Sequence, residues 1–132
     1  MRVLLVNAPF AAVERPALGL SLLKARLAEC GVQCDVAYAN LAFARTLGLE
    51  TYQTVATGSP RRSLAGEWVF ADVLFGASSQ RDELYLRRVM GGMREEYLSA
   101  LRRARLAAGD FIDRYFDSIS WRQYDVVGCT SF

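Results

Sequence analysis

The run "RVLLVNA", residues 2–8, places apolar side chains at consecutive positions, without the alternation of a strand that faces water on one side. A segment of this kind needs cover on both faces, and a parallel sheet flanked by helices provides it. The next residues of the chain fit that demand. After the loop "PFAAVER", Pro16 suits the first turn of a helix, where its missing N–H would be unpaired in any case. Leu20, Leu23 and Leu27, flanked by Leu18 and Leu22, recur at helical spacing up to Gly31, which supplies the stop. Residues 32–39, "VQCDVAYA", alternate and are rich in strand formers, so the three segments predict a right-handed βαβ unit. "YDVVGCTSF", residues 124–132, reads as a third buried parallel strand.

Between the second and third strands, from Leu41 to about Ile119, only helical patterns occur. Helices are expected over 41–47, around the aromatic block "GEWVFADVLFG" (66–76), and as one long element after Ser79. In that element Leu86, Met90, Met93, Tyr97, Leu101 and Ala104 form an apolar stripe, with Met90 and Met93 in the core. Arg87, Arg88, Arg94, Glu95, Arg102 and Arg103 take the other faces, and Gly91-Gly92 and Gly109 are the weak points where it would kink. Residues 56–63, "ATGSPRRS", are the expected exposed loop. The fold class is therefore α/β: a Rossmann-like, flavodoxin-like parallel sheet, incomplete, with a helical insertion over about 41–119. A third strand ending near residue 132 would leave an apolar edge open. Residues 1–132 are thus expected to be the N-terminal domain of a longer protein, with further strands to come; the alternative is that a partner chain or a second copy pairs with that edge.

Composition narrows the function classes. The 132 residues are 52% hydrophobic and 23% charged, which suits one globular domain, and the net charge of +2 comes from arginines scattered along the chain. Neither nucleic acid nor an anionic membrane is an expected partner. No apolar run approaches the roughly 20 residues of a membrane-spanning helix and no signal-peptide pattern opens the chain, so the expected location is the cytoplasm. There is no histidine. Ser/His and Cys/His pairs, histidine metal sites and imidazole general bases are all excluded, which leaves any chemistry to a cofactor. Cys30, Cys34 and Cys129 read as free buried thiols.

Ligands of open α/β sheets bind at the carboxyl ends of the strands. Here the first strand–helix turn contains neither GxGxxG nor GxxxxGK[ST], and Asn40 ends the second strand where a dinucleotide site would place an acid. The loop instead offers Pro9, Phe10, Ala11, Ala12 and Val13, leading to helix N-terminal amides near Ala17 and Leu18. Such a surface suits a large, flat ligand with amide-bearing edges. Asn7 would bond either backbone or a ligand amide; Pro9 either stiffens the loop or touches ligand; Gly19 permits either close helix–sheet packing or ligand contact. Arg15 is either solvated or pairs with a polar group of the ligand, and Thr130 and Ser131 either cap the third strand or hydrogen-bond the ligand. Trp68 is either core packing or a ring lying against the flat ligand, with Glu67 holding its segment by an arginine or a backbone amide.

Four stretches in the same order, "MRVLLVNAPF…ERPALGLSLLKARLAECG", "DVAYANLAFARTLGLETYQTVA", "GEWVFADVLFG" and "YDVVGCTSF", cover nearly the whole chain. Together they resemble the N-terminal cobalamin-binding region of the radical SAM enzymes that mature ribosomally made peptides, a group that includes C-methyltransferases. The aromatic block is the most specific of the four. The resemblance implies a corrinoid held between this region and a radical SAM barrel, with S-adenosyl-L-methionine and a [4Fe–4S] cluster in the barrel and a peptide precursor as substrate. The CxxxCxxC motif of that barrel does not occur in these residues, so the chain alone is not expected to be catalytic. Nor does the DxHxxG cobalt-ligand motif occur, so the corrinoid would be base-off, with no histidine ligand from this region; Asn7, Pro9, Phe10, Arg15, Gly19, Trp68, Thr130 and Ser131 are the candidate contacts. The competing expectation is a non-catalytic α/β protein-interaction module, docking a partner through the aromatic insertion and the open edge.

Overall fold

A computed structural model describes residues 1–130; Ser131 and Phe132 lie outside the described residues. Three parallel strands, β1 (Arg2–Asn7), β2 (Gln33–Tyr38) and β3 (Val126–Cys129), form one sheet in the order β2-β1-β3. Arg2 pairs with Gln33 and Asn7 with Tyr38 across β1 and β2, while Val3 through Val6 pair with Val126 through Cys129. The central strand is the unbroken apolar one, as its composition requires, and Val3, Leu4, Leu5 and Val6 are all buried. Its side chains part by parity. Val3 and Leu5 meet Leu20 of α1 (Leu18–Glu29), while Leu4 and Val6 enter the larger core on the other face. Burial of each such side chain contributes about 1.5–3 kcal/mol.

The sheet is α/β with Rossmann-like winding: α1 links β1 to β2 on one face, and the helical insertion links β2 to β3 on the other. Helix α1 ends at Glu29 with Cys30 as its cap, and Gly31 adopts φ +72° while Val32 N–H returns to Leu27 O, a glycine-terminated C-cap. At its start the helix differs from expectation. It begins at Leu18, and Pro16 stands before it, its carbonyl accepting from Leu18 N–H.

The insertion contains α2 (Ala39–Leu47), α3 (Leu49–Thr57), α4 (Ala65–Phe75), α5 (Ser79–Arg88) and α6 (Glu95–Asp117). The long helix expected after Ser79 is two helices, because the chain turns at Gly91-Gly92, where Gly92 takes φ +88°. Gly109, by contrast, lies within continuous helix. The apolar stripe survives the break, since Met90, Tyr97, Leu101 and Ala104 are buried and Leu86 and Met93 partly so. Ala100, Ala104 and Ala108 recur every four residues along α6, and such small side chains allow α2, α3 and α4 to pack closely around it. The expected loop at 56–63 is shorter, since α3 runs to Thr57 and Arg61–Ser63 form a 3-10 turn.

At the amino ends of the strands Asp35 ties the sheet together, accepting from Arg2 Nη2 at 2.8 Å and from Tyr124 Oη at 3.1 Å. The Arg2 hydrogen bond, followed by that from Tyr124, holds the Asp35 carboxyl below its ordinary range. The thiols depart from expectation: Cys30 and Cys129 are exposed and Cys34 is half-buried, because α1 turns its last residues outward and β3 is an edge strand. No helix among the described residues is long and apolar enough to cross a membrane.

Candidate functional site

Where β1 ends, the loop over residues 8–17 is fastened to the insertion at three successive residues. Phe10 adopts φ +68°, a left-handed conformation that costs a residue with a Cβ about 1–2 kcal/mol. Its ring offsets that by packing among Phe43, Tyr52 and Phe70, with the Tyr52 ring stacked at 5.3 Å. Tyr52, only 1% exposed, donates its hydroxyl proton to Ala11 O at 2.8 Å. Burial pushes the Tyr52 phenol far above its ordinary value, so the hydroxyl stays a neutral donor. Asn40, at the start of α2, donates from Nδ2 to Ala12 O at 3.2 Å. On the other side Thr130 joins β1 to β3: its N–H reaches Val6 O, its Oγ1 accepts from Ala8 N–H at 2.9 Å, and the hydroxyl donates to Asn7 Oδ1 at 3.4 Å.

Between these anchors a cavity of about 340 Å³ opens at the carboxyl ends of β1 and β2, lined among others by Asn7, Arg15, Tyr38, Asn40 and Leu41. Its size lies at the lower end of ligand sites, which run to about 1,000 Å³. Asn40 is 2% exposed, and its Oδ1 is buried without a hydrogen-bond partner among the described residues. A buried acceptor left unpaired costs about 1–3 kcal/mol. Asn7, 3% exposed, presents its amide from the end of the neighbouring strand, and among the described residues its Nδ2 donates to none. The site therefore combines an amide acceptor with an amide donor, an exposed guanidinium at the rim and no imidazole.

The structure brings Asn7 and Arg15 into this cavity and sets Thr130 beside Asn7. Arg15 is exposed, 3.9 Å from Glu14. Pro9 is half-buried in the turn and does not line the cavity, and Phe10 is turned into the aromatic core by its positive φ. Gly19 is exposed with open space where a side chain would stand, so close helix–sheet packing is not its role. Ser131 lies outside the described residues. Sequence reasoning missed Tyr52 and read Asn40 only as a missing acid. The available signal for Asn40 was an asparagine at the carboxyl end of each of two neighbouring parallel strands.

Trp68 lies elsewhere, in α4, 8% exposed. The Tyr85 ring stacks on it at 5.1 Å with an interplanar angle of 9°, and the Arg105 guanidinium sits 3.9 Å from the ring centroid. Arg105 also donates to Trp68 O and reaches Asp72 at 2.5 Å and Asp82 at 2.6 Å, clamping α4 and α5 to α6. With Tyr85 and Arg105 both packed on its ring, Trp68 takes the packing alternative: it stands in the core of the insertion and does not line the cavity at β1 and β2. Glu67 is exposed and has no hydrogen bond or ion pair among the described residues, so the clamp that holds this segment is Arg105 instead. No protein-family model, curated protein or solved structure matches the chain.

Proposed function

We propose that this chain is the corrinoid-binding N-terminal part of a cobalamin-dependent radical SAM enzyme that C-methylates a ribosomally made peptide precursor in the cytoplasm. The observation that carries the reading is the buried, unpartnered Oδ1 of Asn40, which lines with Asn7 the cavity at the mouth of a parallel sheet. A corrinoid carries primary amides around its rim, each a donor and an acceptor, and one acetamide or propionamide arm suits a cavity of about 340 Å³. The donor set therefore suits the edge of the group, and Asn7, Asn40 and Arg15 would be the residues that hold it. Asn40 accepts from the arm, Asn7 donates to it, and Arg15 meets a neighbouring carbonyl or phosphate. Thr130 positions Asn7, while Tyr52 and Phe10 fix the loop without touching ligand. When bound, methylcobalamin supplies the methyl group, and S-adenosyl-L-methionine and the [4Fe–4S] cluster belong to a barrel domain outside these residues.

Gel filtration after incubation with hydroxocobalamin tests this. The reading predicts coloured protein at one corrinoid per chain, with retention reduced by Asn40→Ala; colourless protein would overturn it. A second reading, an interaction module, is favoured by the exposed Leu18, Leu22 and Leu23 of α1 and by Val126 and Val127 of the edge strand. It predicts colourless protein that self-associates or captures a partner through β3.

A further inference from the structure

The insertion holds a second cavity, of about 410 Å³, between the 3-10 turn Arg61–Ser63 and the turn joining α5 to α6. Its apolar lining comes from Val89, Met90 and Met93. Arg62 and Arg88 line the same space, and neither has a carboxylate within ion-pair distance among the described residues. The same holds for Arg61, Arg87 and Arg94, each adjacent in sequence to a lining residue. Residues 60–64 and 87–94 contain these five arginines and no acid. Elsewhere Arg2, Arg15, Arg26, Arg102, Arg105 and Arg114 have acidic partners, while Arg45, Arg81, Arg103 and Arg122, scattered along the chain, have none among the described residues. One wall is held rigid by a polar chain: Tyr97 donates to Ser59 Oγ at 2.8 Å, Ser59 and Ser63 share a proton contact at 2.9 Å, and Tyr85 donates to Ser63 O at 2.8 Å.

We propose that this cavity binds an acidic peptide segment carrying an apolar side chain, with Arg62 and Arg88 taking its carboxylates and the Met90–Met93 floor taking the apolar residue. Unpaired guanidiniums call for anionic groups that accept in a planar, two-point geometry, which carboxylates do. The methionine floor adapts to varied aliphatic and aromatic shapes. Nucleic acid fits less well, because the cavity has no aromatic ring in its lining on which a base could stack. A membrane surface fits less well because only Val89 of the apolar lining is exposed, while Met93 is half-buried and Met90 buried. None of the residues assigned to the corrinoid takes part, so this cavity can bind peptide whether or not the other binds a cofactor.

The test is fluorescence anisotropy with the whole 132-residue chain and a short labelled peptide of glutamates around a central phenylalanine. Saturable binding is expected, weakened roughly tenfold or more by the double variant Arg62→Gln with Arg88→Gln. Arg45→Gln with Arg122→Gln, an equal charge loss at exposed positions elsewhere, should leave affinity unchanged, and the peptide with glutamines for glutamates should bind at least tenfold more weakly. Met93→Glu should weaken binding while circular dichroism stays native. Absence of saturable binding, equal weakening by both double variants, or tighter binding of a thymidine oligonucleotide or phosphatidylglycerol vesicles would overturn the proposal.

Discussion

Replacing Tyr52 by Phe removes one oxygen and leaves the aromatic packing in place, so it isolates the hydrogen bond that holds the β1–α1 loop. The bond is 2.8 Å long, from a hydroxyl on a residue 1% exposed to Ala11 O, on a residue that is itself buried. Its loss forfeits a net contribution of about 1 kcal/mol and leaves a buried carbonyl unpaired, which together place the expected destabilisation at about 1–2 kcal/mol. That corresponds to about a 5- to 30-fold change in the folded-to-unfolded ratio. Urea unfolding followed by tryptophan fluorescence should show a lower midpoint with an unchanged slope, since the surface exposed on unfolding is the same. Hydrogen exchange adds a local signature: amides of residues 8–17 should lose more protection than those of β1 itself. If the midpoint stays put and loop exchange is unaltered, Tyr52 does not anchor the loop that walls the site.

Three further outcomes are expected from the packing. Burial raises the phenols of Tyr52, Tyr85, Tyr97 and Tyr115, so the folded chain retains protons that the unfolded chain releases above a pKa of about 10. Their contribution to stability is complete below that pH and is lost as pH climbs toward the raised folded values; denaturant midpoints should fall above about pH 10, less steeply in Tyr52→Phe. Arg105→Met should lower stability by about 2 kcal/mol in urea unfolding, less than a fully buried pair loses, because Asp72 and Asp82 are 31% and 27% exposed and rehydrate. Gly58→Ala would drive a Cβ into Thr54 O and to 2.5 Å from a Tyr97 ring carbon, and about 1–3 kcal/mol of destabilisation is expected by the same measurement.

The parallel sheet was legible because its evidence is local. Consecutive apolar residues in β1 and a glycine after α1 each carry their meaning within one element, and the structure has them as read. The break between α5 and α6 was half legible: Gly91-Gly92 showed a weak point, but only the packing of Met90 and Tyr97 on opposite sides of it makes a turn there. Trp68 was illegible in kind. Whether a ring is covered depends on Tyr85 and Arg105, which stand far from it in sequence and approach only when three helices fold together. Asn40 was partly legible, as a second asparagine after a strand, but that its oxygen is buried and unpaired is a property of its surroundings.

The proposed corrinoid site lies at the mouth of β1 and β2. Hydrogen exchange of the chain with and without hydroxocobalamin tests it at residue level. Protection should appear at residues 8–17 and 38–41, with α4 around Trp68 unchanged. No protection anywhere, or protection confined to β3 or α4, would rule out a corrinoid at this site.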